Sequence, residues 1–149
     1  MKPRLLVSLC LLGAPCRYDG ACRGLPEALL RALAERWELV PVCPEQLGGL
    51  PTPRTPSERR GDRVVTADGR DVTEQYARGA EAVRALARLL DAREALLKER
   101  SPACGCGEIY DGSFTRRLVP GDGMATEALK ADGVTVFGES AAAELAGER

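Results

Sequence analysis

The chain has no histidine. That excludes His-activated nucleophiles, imidazole general bases and mixed Cys/His zinc sites. Acid–base work falls to carboxylate, lysine, tyrosine or cysteine side chains. Excess charge is also lacking: 21 Lys and Arg against 22 Asp and Glu leave a net charge of −1, so no broad basic face is available to make nucleic acid the main partner. No apolar run approaches the roughly 20 residues that span a bilayer, so no membrane partner is expected. The first residues, Met1-Lys2-Pro3-Arg4 into Leu5–Leu12, have the outline of a very short signal peptide. Ser8 and Cys10 interrupt its apolar centre, and Gly13 and Pro15 follow at once. It reads better as a first buried strand, and the protein as cytoplasmic.

What the chain does have is cysteine. Cys10, Cys16, Cys22, Cys43, Cys104 and Cys106 lie in 149 residues, a length that suits a single domain spanning 1–149. A domain of that size buries roughly 70% of its unfolded surface and needs no disulfide staples. In a reducing compartment the thiols point instead to metal binding or reactivity.

The hydrophobic pattern alternates between two periods. Leu5–Leu9 reads as a strand ending at Cys10. Pro26 suits a helix start, and Leu29, Leu30, Leu33 and Trp37 recur at helical spacing. Leu39–Val42 reads as a second strand ending at Cys43. Residues 44–62, rich in Pro, Gly, Thr and Arg, read as a long ordered loop, the kind that is usually functional or disordered. Arg63–Thr66 with Asp68-Gly69 suggests a small hairpin. Asp71 and Glu74 suggest a capping-box start to a helix whose face is Val72, Tyr76, Ala80, Val83, Ala87 and Leu90. Glu94–Lys98 is a third strand. A helix follows Gly121-Asp122-Gly123 and runs through Leu129, Val134–Phe137 is a fourth strand, and Ala141–Leu145 is a last short helix. Strands alternating with helices imply an α/β fold, a Rossmann-like three-layer domain with a mostly parallel sheet. Ligands bind such sheets beyond the carboxyl ends of the strands, where the strand order reverses. Cys10, Cys43 with Glu45, and Cys104 all follow strands, so they fall at that edge.

Cys10, Cys16 and the distant Cys104 supply three thiolates to one centre on this reading, and thiolates are the usual ligands of iron–sulfur clusters. The spacing matches neither paired CxxC zinc units nor ferredoxin runs. Inert buried thiols and a four-thiolate zinc site therefore stay open beside it. Cys43 is either a wall residue or a fourth thiol, and Cys22 and Cys106 read as structural. Glu45 is either the base of its block or an exposed loop carboxylate. Ser101 is either a donor to a substrate heteroatom or a turn serine. Arg54 either binds an anionic substrate or pairs on the surface.

Three blocks then stand out together. Ser8-Leu9-Cys10-Leu11-Leu12-Gly13 through Cys16-Arg17-Tyr18-Asp19-Gly20 is the first. Pro41-Val42-Cys43-Pro44-Glu45 through Gly48-Gly49-Leu50-Pro51-Thr52-Pro53-Arg54 is the second. Lys98-Glu99-Arg100-Ser101-Pro102-Ala103-Cys104-Gly105 with Ile109-Tyr110-Asp111-Gly112 is the third. In this order they resemble the thiouracil desulfidase family, over Leu5 to about Glu139. The resemblance implies a [4Fe-4S] cluster held by Cys10, Cys16 and Cys104, with the fourth iron open to the sulfur of 2-thiouracil. It implies Glu45 and Ser101 as catalytic residues, and a small-molecule substrate, a thiolated pyrimidine. The implied reaction is 2-thiouracil plus water giving uracil and hydrogen sulfide, without net redox change. Two further readings compete: a non-catalytic iron–sulfur or zinc redox-sensing module, and a cluster-free binding domain of Rossmann-like shape.

Overall fold

The computed structural model describes residues 1–147. Four short apolar strands form a parallel sheet: β1 (Arg4–Ser8), β2 (Glu38–Val42), β5 (Glu94–Leu97) and β8 (Thr135–Gly138), in the order β2-β1-β5-β8. Pro41 is tolerated in β2 because that strand lies at the edge, where a missing N–H breaks no inner ladder. The central strands are buried on both faces, which is why they read as unbroken apolar runs rather than as alternation.

Alternate residues of the sheet feed two cores. Leu5, Val7 and Leu96 pack with Leu33 of α1 (Glu27–Arg36) and Ala142 of α5 (Ala142–Leu145). Leu6, Ala95, Leu97 and Val136 pack with Tyr76, Val83 and Ala87 of α3 (Thr73–Leu89) and Leu129 of α4 (Met124–Ala131). Helices therefore cover both faces. No helix among the described residues is long and apolar enough to cross a membrane.

The strands and long helices fall within a residue or two of the sequence reading. The stretch 44–62 is a correction: it is not one long loop. It contains the single-turn helix α2 (Pro44–Leu47) and strand β3 (Ser57–Arg60), which pairs antiparallel with β4 (Arg63–Thr66). The hairpin thus turns at Gly61-Asp62. The Asp68-Gly69 turn leads only to an isolated bridge between Val65 and Asp71. The start of α3 is also not a capping box. Asp71 accepts the Thr73 N–H at 2.9 Å, but Glu74 reaches along the helix to Arg78 at 3.0 Å rather than back. A second small hairpin, β6 (Glu108–Tyr110) with β7 (Leu118–Pro120), went unread because three-residue strands carry no measurable period.

Strand order reverses beside β1, because β2 lies on one side of it and β5 on the other. Beyond the carboxyl ends of these three strands lies a cavity of about 530 Å3. Open parallel sheets bind ligands at such a reversal.

Candidate active site

Cys10, Cys16, Glu45, Ser101 and Cys104 all line this one cavity, together with Cys43. Each arrives by a different local device. Cys10 sits in a 3-10 turn (Leu9–Leu12) that follows β1 directly. Cys16 follows in the same loop and is buried. The far end of that loop is tied back where the Leu25 N–H donates to the Leu11 carbonyl at 2.8 Å.

Glu45 stands in the first turn of α2, with Pro44 opening the helix. A four-residue helix is not stable alone, so α3 holds it. A Cβ on Gly79 would lie 1.9 Å from the Pro44 carbonyl oxygen, and one on Gly48 would lie 2.0 Å from that of Gln75. Only glycine at both positions, each against the backbone of the other helix, allows that approach.

Cys104 is fixed by its backbone. Its N–H donates to Ser101 Oγ at 2.7 Å, and its carbonyl accepts the Thr126 hydroxyl at 2.9 Å. The N-terminus of α4 has no side-chain cap. The cysteine loop provides one: the carbonyls of Pro102 and Ala103 accept N–H groups of Met124 and Ala125 at 2.8 and 2.9 Å. These are N–H groups the helix cannot satisfy itself. Ser101 is thus a turn serine, as its simpler reading held. Accepting from Cys104 still leaves its own proton free to donate.

Ser8, at the last position of β1, is 2% exposed and was given no role from the sequence. Its Oγ accepts the Lys98 N–H at 2.9 Å, which ties the end of β1 to the residue after β5. A serine closing an apolar strand two residues before a cysteine was the available signal.

Arg54 does not pair on the surface; it lines the cavity. Its Nη2 lies 3.6 Å from the Glu45 carboxylate, with side chains only 8% and 13% exposed. Its Nη1 donates to the Cys16 carbonyl at 3.1 Å, so one guanidinium joins the carboxylate to the cysteine loop. Burial pushes the Glu45 carboxyl above its ordinary range, and Arg54 pulls it part of the way back. Tyr76 also opens on the cavity; burial, and next the charge of Glu45, raise its phenol.

The thiols share one electrostatic situation. Burial, with Glu45 and Cys43 adding to it, pushes Cys10 up to about 11. Burial, then Glu45, pushes Cys43 up to about 12. Cys104 is raised well above its ordinary value by the same two causes, and Cys16 is raised by burial and then by Cys10. Charge on one sulfur penalises the next. A cationic metal group would relieve all of them together. Several thiols opening on one cavity are the kind of donor set that an iron–sulfur cluster takes. Cys22 is exposed and Cys106 donates to the Val136 carbonyl at 3.5 Å; neither lines the cavity.

The family model for 2-thiouracil desulfurase matches residues 5–141. The chain belongs to that family. It is 40% identical over 146 residues to the uncharacterized protein YbbK of Bacillus subtilis (strain 168), covering 91% of this chain and 95% of that one. Among solved structures it is similar to the [4Fe-4S]-dependent thiouracil desulfidase TudS, with a TM-score of 0.92 and 47% identity, covering 97% of this chain and 96% of that one. Family membership extends from β1 through the 3-10 turn after β8 and so takes in every residue of the cavity.

Proposed function

We propose that this chain is a cytoplasmic, [4Fe-4S]-dependent desulfidase that converts 2-thiouracil or a related thiolated pyrimidine, with water, to uracil and hydrogen sulfide without net redox change. The observation that carries this reading is the convergence of Cys10, Cys16 and Cys104 with Glu45 and Ser101 on one cavity. The family match and the solved relative support the same reaction class. Cys10, Cys16 and Cys104 would hold the cluster, which when bound supplies a soft Lewis-acid position for sulfur.

The protein's own groups do the rest. Glu45, held by Arg54 and raised by burial, takes a proton from water aimed at the thiocarbonyl carbon. Ser101 is oriented by the Cys104 N–H and donates its proton to the substrate ring. The cavity admits a pyrimidine while keeping Glu45 largely from solvent. We take the fold as a Rossmann-like three-layer arrangement in one desulfidase domain, supported by helices on both faces and the strand order. Six free cysteines suit a reducing compartment.

Anaerobic reconstitution with iron and sulfide tests the reading. About four irons per chain and a broad absorbance near 400 nm are expected, with release of uracil and sulfide from 2-thiouracil. Glu45→Gln should keep the iron and lose turnover by about 10²–10⁴-fold. A reconstituted protein that holds zinc but no iron would point to the redox-sensing module instead. Full iron content without turnover would leave a cluster protein that is not this enzyme.

A further inference from the structure

We propose that Glu58 is a positioning residue that clamps the cavity wall carrying Phe114, and that this wall holds the flat heteroaromatic ring of the substrate. The ligand in this inference rests on the thiopyrimidine reading above; the clamp does not.

The wall is the connection between β6 and β7. Phe114 and Arg116 both reach the cavity, and both have left-handed backbones, with φ of 60° and 64°. Bulky residues seldom adopt that conformation unless their surroundings hold them there, and such residues cluster at ligand sites. Asp111 organises the turn locally by accepting the Ser113 N–H at 2.8 Å. The decisive contacts come from another hairpin. One oxygen of Glu58, in β3, accepts the Gly112 N–H at 3.0 Å and the Phe114 N–H at 3.1 Å. Arg60 of the same strand donates from Nε to the Gly112 carbonyl at 2.7 Å. The peptide groups flanking Gly112 are thus gripped by two side chains of β3.

This explains an otherwise odd strand. β3 reads Ser-Glu-Arg-Arg and contributes nothing to either apolar core. Among the described residues Glu58 has no ion-pair partner, although several cations share the cavity wall. Its charge is directed instead at two backbone N–H groups, the stronger kind of hydrogen bond. The held residue is aromatic and lines the cavity, which Tyr18, Tyr76 and Tyr110 also line from other segments. An aromatic face is what a planar ring stacks against.

The test uses the anaerobically reconstituted enzyme with Glu58→Ala, Glu58→Gln and Phe114→Ala. In Glu58→Ala, amide exchange across 111–117 should accelerate about tenfold or more, the effect of losing hydrogen bonds to a carboxylate. KM for 2-thiouracil should rise about tenfold with kcat within about threefold and iron content unchanged, the signature of lost binding rather than lost chemistry. Glu58→Gln keeps an acceptor oxygen and should restore both values to near wild type. Phe114→Ala should raise KM to a similar degree, and it decides the matter if Glu58→Ala does not fold. Unchanged exchange in Glu58→Ala removes the clamp. Faster exchange with unchanged KM, or unchanged KM in Phe114→Ala, removes its role in binding. If the wild-type holoenzyme does not turn over 2-thiouracil, the substrate reading has failed on its own, and the exchange measurement still decides the clamp.

Discussion

Arg54 and Glu45 meet at 3.6 Å in a nearly sealed pair, and the same guanidinium holds the carbonyl of Cys16. One side chain therefore sets both the charge of the proposed base and the place of a proposed ligand.

Removing Arg54 leaves only a backbone hydrogen bond to oppose the upward push of burial on Glu45. A base works only when ionised, so activity is lost as pH falls through its pKa. In Arg54→Met the acid limb of kcat/KM should move to higher pH, costing about tenfold in rate for each pH unit the limb moves. Arg54→Lys should move it less. A pH profile measured at equal iron content checks this, and an unmoved limb would mean that Glu45 is not the base.

Gly79→Ala puts a methyl group where the Pro44 carbonyl already is. Overpacking of this kind costs about 1–3 kcal/mol. Because α2 has to shift to make room, turnover should fall further than stability alone explains. Thermal unfolding and kcat on the same sample separate the two effects. Full activity in a destabilised variant would show that the placing of α2 is not what positions Glu45.

Ser8→Ala removes the acceptor of the Lys98 N–H. An orphaned buried donor costs about 1–3 kcal/mol. The variant should unfold at lower denaturant concentration than wild type, which equilibrium unfolding measures. Unchanged stability would mean that the Lys98 N–H finds another partner.

Asp132 caps α4 and accepts from Arg84 at 2.8 Å and Arg88 at 2.7 Å, joining α4 to α3. Hydrogen bonds from Arg84, then from Arg88, hold its carboxyl down at about 2. A depressed carboxyl stabilises the fold above its unfolded pKa and loses that contribution as pH falls through the folded value. Asp132→Asn should therefore cost stability at neutral pH, with the gap to wild type closing between about pH 4 and pH 2. Equilibrium denaturation across that window measures it, and a constant gap would assign the loss to packing.

The legible part of this protein was the part with a period. β1, β5 and β8 are apolar on both faces, and α1 and α3 show a clear stripe, so their order and the edge they share could be read. The thiols were visible as a count, while their grouping needed the strand order and the family blocks. What escaped was structure held from outside. β3 is polar throughout and exists through its contacts with β4 and with the 112–114 peptide. α2 exists through glycine contacts with α3. The pairing of Arg54 with Glu45 escaped because nothing in its neighbours foretells that 92% of its side chain is covered. Ser8 looked like part of a strand, which it also is.

The capping of α4 by the cysteine loop bears on how the protein is made. Cys10, Cys16 and Glu45 precede Cys104 in the chain, and Cys104 is placed only once β5 lies between β1 and β8 and Met124–Thr126 dock on the carbonyls of Pro102 and Ala103 beside it. No N-terminal fragment ending before α4 has the helix contacts that fix the Cys104 loop. On the proposed ligand set, iron content would therefore report whether the chain has folded through β8.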